Sequence, residues 1–400
     1  MDPIEPGRGM GRFWSDNAAL GAATVATGVL NTAYALVLAH RLGPSVYGQI
    51  GALNNLVSLF LLPMPVVGLV AIRRGHRASD AALSWGVLGL GFGVFGLATL
   101  LSRQLGLAFH LAPDWVVLYA ASVVFNFAYA LYVGFLERAR RYRLVGGLIV
   151  LASVLGVLAA VVAVTLGRRH PVIWLGWGQV VVVLGGCALA WGLSRHLPDV
   201  GGEPLDTRKM ITTLGVGTLQ SLWGLTDTLV AKAELTTRTA GLYTGLSTIG
   251  QGLPYLVSSL ATVMLTASLD DPPRRARYLA RTLAATGILV GAYVGTLAAF
   301  PQVIVRLTLG EAFLPLRPLL IRYGLAMAAL SFIQVFTTYG VAVGAYDAMF
   351  AGAVGTGGWI ALLLHARSMA QLVNRTSLAM TGTVVLVVGA LVVRARSWWS

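Results

Sequence analysis

Long apolar runs joined by short polar connections fill the chain. A helix needs about 20 apolar residues to cross the hydrocarbon core. Twelve stretches meet that length: roughly 17–39, 46–72, 81–101, 115–136, 145–166, 172–193, 211–232, 241–267, 279–300, 318–343, 347–364 and 374–393. The longest connection, from Ser194 to Met210, holds Pro198, Gly201, Gly202 and Pro204 and has no room for a soluble domain. The short alternating segments of a membrane β-barrel are absent. The pattern therefore predicts an all-α polytopic membrane protein. The first apolar run is too long and too polar for a cleaved signal peptide and reads as a retained helix.

Helices in this number invite a search for duplication. Residues 42–53, LGPSVYGQIGAL, align with residues 235–246, LTTRTAGLYTGL. Leu42, Gly48 and Leu53 fall on Leu235, Gly241 and Leu246 at a constant offset of 193. Both segments join a helix to its successor, helices 1 and 2 in the first case and 7 and 8 in the second. An offset near half the chain predicts two six-helix lobes of like orientation, related by a pseudo-twofold axis along the membrane normal. The expected divisions are an N-terminal segment 1–16, a first lobe 17–197, a linker 198–209 and a second lobe 210–400. A weaker echo pairs Gly89 and Gly93 of helix 3 with Gly287, Gly291 and Gly295 of helix 9. Such spacing puts a flat strip on one helix face.

Composition sharpens the picture. Charged residues are 11% of the chain, mean hydropathy is +0.76 and net charge is +14. A soluble domain carries about 25% charged residues. In a soluble protein such a charge would suggest nucleic acid; here it belongs to topology. With both termini inside, inner segments collect 18 of the 29 basic residues, among them Arg138, Arg140, Arg141, Arg143, Arg274, Arg275, Arg277 and Arg281. The expectation is a multi-pass protein of the cell inner membrane, both ends cytoplasmic, with membrane lipids and no nucleic acid as partners. The lone Cys187 has no partner for a disulfide within the chain.

Polar side chains within apolar helices need partners or water. Helix 1 carries Asn31 and Tyr34 on one face, and helix 2 carries Asn54 and Ser58 with Asn55 alongside, above Pro63 and Pro65. Helix 7 carries Gln220, Gly224 and Asp227; helix 8 carries Ser247, Gln251, Tyr255 and Ser258, with Pro254 between. Stripes on helices 1, 2, 7 and 8 suit a water-filled substrate pathway between two bundles, and the same residue types also serve as interhelical hydrogen-bond glue. Asp227 is the one carboxylate well inside a span, so it is protonated, faces water or pairs with another helix. Arg73 and Arg74 end a stripe-bearing helix on the expected cytoplasmic side, where an anionic lipid headgroup would enter. Arg41 and Glu234 fall at equivalent corners of the repeat and form an expected outer gate. No HExxH, GxSxG or P-loop occurs, the six His residues sit at or near helix ends, and neither a metal, a cofactor nor a catalytic constellation is expected. The first outer loop has no acidic residue, unlike the membrane glycosyltransferases that keep an Asp there.

The segment Arg41-Leu-Gly-Pro-Ser-Val-Tyr-Gly48, followed by a polar-faced helix and Arg73-Arg74, resembles the polysaccharide-biosynthesis flippases. So does Asp227 followed by Ala240-Gly-Leu-Tyr243. These belong to the multidrug/oligosaccharidyl-lipid/polysaccharide exporter superfamily. The resemblance implies two six-helix lobes forming a V, with helices 1, 2, 7 and 8 lining the cavity. It also implies a non-enzymatic function, the flipping of a lipid-linked oligosaccharide such as an O-antigen-type precursor by alternating access. A polysaccharide polymerase or glycosyltransferases would be further partners. The sequence departs from that pattern in having no mid-span Arg in helices 1, 2, 7 or 8. Two alternatives stay open: a multidrug or cation antiporter of the same superfamily, with Asp227 as its titratable site, and an assembly factor or enzyme of envelope polysaccharide synthesis.

Overall fold

The computed structural model describes residues 6–74, 81–197 and 207–396. Over those residues the chain is helical, with no strand. Nine of the described helices are long and apolar enough to cross a membrane. In hydrocarbon every backbone donor and acceptor must be satisfied within the segment, which is why apolar runs of this length fold as helices. The chain is an all-α polytopic membrane protein.

Two compact units divide it: 1–41 with 56–217, and 42–55 with 218–400. The cut follows a break within α1 (Pro6–Phe60). This run begins at Pro6 rather than near residue 17, and it merges the two helices expected over 17–39 and 46–72. Their connection shrinks to Gly43, whose φ of 68° and ψ of 171° are non-helical. Pro44 comes next, suited to the first position of a new helix because its missing N–H is not needed there. Proline acts again near Pro63, where α1 gives way to a turn before α2 (Met64–Arg74).

The N-terminal unit continues with α3 (Ala81–Leu100), α4 (Ser102–Phe109), α5 (Pro113–Arg138), α6 (Tyr142–Thr165) and α7 (Pro171–Ser194). Then α8 (Thr207–Glu234) leads into the C-terminal unit. That unit holds α9 (Thr237–Gly250), α10 (Gly252–Asp270), α11 (Arg275–Ala299), α12 (Pro301–Thr308), α13 (Arg317–Ala342), α14 (Tyr346–Leu363) and α15 (Met369–Arg396). The single helix expected over 241–267 is thus α9 and α10, broken at Gln251.

The duplication is visible element by element. In each unit a long helix (α3, α11) is followed by an eight-residue helix (α4, α12) and then by the most enclosed helix (α5, α13). The turns match as well. Helix α5 ends with Arg141 N–H bonding Leu136 O at 2.9 Å and Arg140 N–H bonding Glu137 O at 2.9 Å. Helix α13 ends with Ala345 N–H on Gly340 O at 2.7 Å and Gly344 N–H on Val341 O at 3.2 Å. Both are Schellman caps with a left-handed residue, Arg140 at φ 56° and Gly344 at φ 71°.

Close helix approach falls elsewhere than on the glycine strips. Nothing lies within 4 Å of a Cβ built at Gly89, Gly93, Gly287, Gly291 or Gly295. Within the N-terminal unit close contacts include Gly91 against the Val124 backbone, Gly134 against Gly68 and Ala71, and Gly176 against Leu118 and Tyr119. Within the C-terminal unit, Leu253, Val257, Ala261 and Met264 of α10 pack with Ala328 and Val335 of α13.

Candidate functional site

Asp227 lies on α8, where the helix is enclosed, and is 1% exposed. A carboxylate there must recover its lost hydration from hydrogen-bond donors. It finds three. Oδ1 accepts from the Thr228 backbone N–H at 2.7 Å. Oδ2 accepts from the Tyr323 hydroxyl at 2.5 Å and from the Tyr243 hydroxyl at 3.2 Å. Tyr243 comes from α9 and Tyr323 from α13, so one carboxylate ties three helices together. The two phenol rings meet edge to face, centroids 5.8 Å apart at 82°.

From Tyr323 the network runs on through α9. Its hydroxyl is 3.2 Å from Ser247 Oγ, which accepts from Gln251 Nε2 at 2.9 Å. Gln251 Nε2 also donates to the carbonyl of Gly224, one turn before Asp227. Gln251 stands where α9 breaks from α10, so its side chain holds that joint to α8.

The segment 42–55 closes another side of this unit. Asn55 Nδ2 donates to Thr228 Oγ1, and Thr228 Oγ1 donates to Leu225 O at 2.9 Å. The Tyr47 hydroxyl is 2.8 Å from Thr248 Oγ1, and its ring packs edge-on against Phe313. Nearby on α8, Trp223 Nε1 donates to Thr356 Oγ1 of α14 at 2.7 Å.

The residues singled out from sequence divide between the units. Asp227, Ser247 and Gln251 meet in one network. Asn54 is half-buried in the same unit, and Tyr255 is exposed on α10. Asn31 and Ser58 are exposed and Tyr34 is half-buried, all in the N-terminal unit. Arg41 and Glu234 are exposed, the first in the N-terminal unit and the second in the C-terminal unit. The side chains of Gln220, Arg73 and Arg74 lie outside the described residues. Sequence reasoning missed Tyr323 and gave Asn55 only a supporting place. Tyr323 lies on the buried face of α13 with Met327, Leu330 and Gln334, so an eleven-residue step back from Gln334 points to it.

A buried carboxylate held by two phenols and a backbone amide can exchange a proton or hold a cation. Among the described residues no group of three His, Cys, Asp or Glu is placed to hold a metal ion. The fold and this cluster define a class: helical membrane proteins built from two duplicated units. The fold is similar to that of several solved membrane transporters. A multidrug-resistance MATE-family transporter of the MOP superfamily, solved in an inward-facing conformation, matches with TM-score 0.70 at 13% identity, over 92% of this chain and 94% of its own. The lipid II flippase MurJ, in an inward closed conformation, matches with TM-score 0.73 at 13% identity, over 93% and 87%. The eukaryotic MATE transporter AtDTX14 matches with TM-score 0.61 at 12% identity, over 96% of each chain. No protein-family profile matches the chain, and no curated protein sequence matches it.

Proposed function

We propose that the protein is a transporter that flips a lipid-linked oligosaccharide across the cell inner membrane by alternating access, with both termini cytoplasmic. The observation that carries this reading is a coincidence. The segments resembling polysaccharide flippases, 41–48 and 240–243, sit in a fold shared along nearly the whole chain with a lipid II flippase. The polar residues Asn31, Tyr34, Asn54, Ser58, Gln220, Asp227, Ser247, Gln251 and Tyr255 are assigned to the substrate pathway, Arg73 and Arg74 to the lipid pyrophosphate, and Arg41 and Glu234 to the outer gate. A polymerase or glycosyltransferase would supply or consume the cargo.

The test is reconstitution in vesicles with a fluorescent lipid-linked oligosaccharide and a membrane-impermeant quencher. Flipping raises the quenched fraction above the half that sits in the outer leaflet at the start. A fraction fixed at one half defeats the reading.

One observation favours a second reading, cation-coupled export of small molecules. Asp227 is enclosed among two tyrosines inside a single unit, as a coupling group would be. Dye export driven by a cation gradient, lost in Asp227→Asn and unaccompanied by lipid flipping, would decide for it.

A further inference from the structure

The arginines at the start of α11 fall into two sets. Arg274 pairs with Asp271 at 3.4 Å, and Arg275 Nε donates to Ser268 O at 2.8 Å. These two close the connection from α10. The Tyr278 hydroxyl takes the other approach to Asp271, at 3.4 Å. Arg277 and Arg281 are different. Both are exposed, and neither has a hydrogen-bond or ion-pair partner among the described side chains. They stand four residues apart on one helix face, about 6 Å along the axis. Like charges at that spacing repel, so the pair costs stability until an anion lies between them.

Beyond these two arginines the same face is apolar and open. Arg277, Arg281, Ala284, Ile288, Gly291 and Gly295 recur at steps of four, three, four, three and four, and all are exposed. No atom lies within 4 Å of a Cβ built at Gly287, Gly291 or Gly295. From Ala284 to Gly295 the track runs about 17 Å at 1.5 Å per residue. One leaflet of hydrocarbon is about 15 Å deep. Helix α11 is itself long and apolar enough to span.

We propose that this face of α11 is a binding site for an anionic diacyl phospholipid, its phosphate held between Arg277 and Arg281 and an acyl chain laid along Ala284, Ile288, Gly291 and Gly295. The guanidinium suits a phosphate because it offers two parallel N–H groups. The membrane supplies the occupant, and the amphiphile matches the face in charge at one end and in length along the rest. The corresponding helix of the other unit is an internal contrast. Helix α3 has open glycines at Gly89 and Gly93 but no basic residue between Ala81 and Leu100. The site is independent of the transported cargo, and its test reads binding and not transport.

The experiment uses the full chain in neutral detergent, titrated with phosphatidylglycerol or phosphatidylcholine and followed by native mass spectrometry and by thermal unfolding. Phosphatidylglycerol should bind saturably and raise the melting temperature more than phosphatidylcholine. Each basic residue near a membrane surface contributes about a fivefold gain, so Arg277→Gln with Arg281→Gln should weaken binding about 25-fold. Arg274→Gln removes the same charge from the same connection and should change it less than twofold. Gly291→Leu should weaken binding, and Gly93→Leu on α3 should not. Should the double variant fail to fold, Gly291→Leu against Gly93→Leu still decides. Equal loss from Arg274→Gln, no loss from the Arg277 and Arg281 substitutions, or equal effects of the two glycine substitutions overturns the site. So does full competition by glycerol phosphate, which would mark a bare anion patch, or displacement by equimolar undecaprenyl diphosphate, which would assign the arginines to the cargo.

Discussion

Gly48 and Gly241, which correspond in the repeat, meet backbone to backbone: a Cβ on Gly48 would lie 2.5 Å from Gly241 Cα, and one on Gly241 would overlap the Pro44 carbonyl. The same crossing places Gly51 against the Thr244 side chain. Backbone cannot yield as a flexible side chain can, so overpacking here should cost at the high end of about 1–3 kcal/mol. Gly241→Ala should therefore lower the melting temperature in detergent clearly. Gly89→Ala, which meets nothing, should be neutral or raise it, since Ala gains about 0.8–1 kcal/mol over Gly in helix propensity. Equal effects of the two substitutions would refute the crossing.

A smaller prediction concerns Arg140. It holds a left-handed conformation at φ 56° in a cap whose counterpart uses Gly344. A side chain in that region costs roughly 1–2 kcal/mol. Arg140→Gly removes the strain and admits some extra unfolded-state entropy, so the net gain should be about 0.5–1 kcal/mol, read as a higher unfolding midpoint. Gly344→Arg should destabilise by a similar or larger amount.

How far the site was legible depends on the kind of residue. Asp227 stands out because a carboxylate in an apolar run is expensive. Gly48 and Gly241 emerged because a repeat keeps the residues that its packing needs. Tyr323 was hidden, and Tyr243 was seen only as part of a motif: a tyrosine in a membrane helix serves as well in a core or at an interface, and nothing local marks its hydroxyl as aimed at a carboxylate 96 or 16 residues away. Asn55 and Asn54 differ by one helical step, and only the neighbouring helix decides that Asn55 reaches Thr228. Helices α4 and α12 escaped because eight residues are too few for a window set to spanning length. The break near Gly43 was expected as a connection between 39 and 46; its shrinking to one non-helical residue escaped, because the polar His40 and Arg41 that suggested a loop are accommodated within the helix.

Arg73 and Arg74 test the proposed cargo. A lipid pyrophosphate gains from the planar fork of Arg, which Lys lacks. Arg73→Lys with Arg74→Lys keeps the charge, and with it the topology. Initial flipping rates of a pyrophosphate-linked oligosaccharide should fall about tenfold or more, the effect of losing about 1.4 kcal/mol. Flipping of a monophosphate-linked analogue should fall less. Full retention of the pyrophosphate rate would leave these arginines with topology alone.

The bond between Asp227 and Tyr323 makes the most demanding prediction, because it separates a true pair from two buried groups that happen to be neighbours. Hydrogen bonds to a charged acceptor are worth about 1.5–3 kcal/mol, against about 0.5–1.5 for neutral pairs. Tyr323→Phe leaves the ring and its edge-to-face contact with Tyr243 in place and removes only the hydroxyl. Asp227→Asn keeps size and shape and removes the charge. Each single variant should therefore destabilise, Tyr323→Phe by about 1.5–3 kcal/mol. In the Asp227→Asn background the tyrosine hydroxyl meets a neutral amide, so removing it should cost less. The double variant should then be more stable than the sum of the singles predicts, by about 1 kcal/mol or more, which exceeds the scatter for independent sites. Ser247→Ala supplies the contrast. Ser247 touches Tyr323 from the other side, at 3.2 Å, and its coupling to Asp227 should be smaller than that of Tyr323. Unfolding of the four proteins of the cycle in one detergent gives the answer. Additive singles would mean that Asp227 is charge-neutral in the folded protein or held by Tyr243 and Thr228 alone.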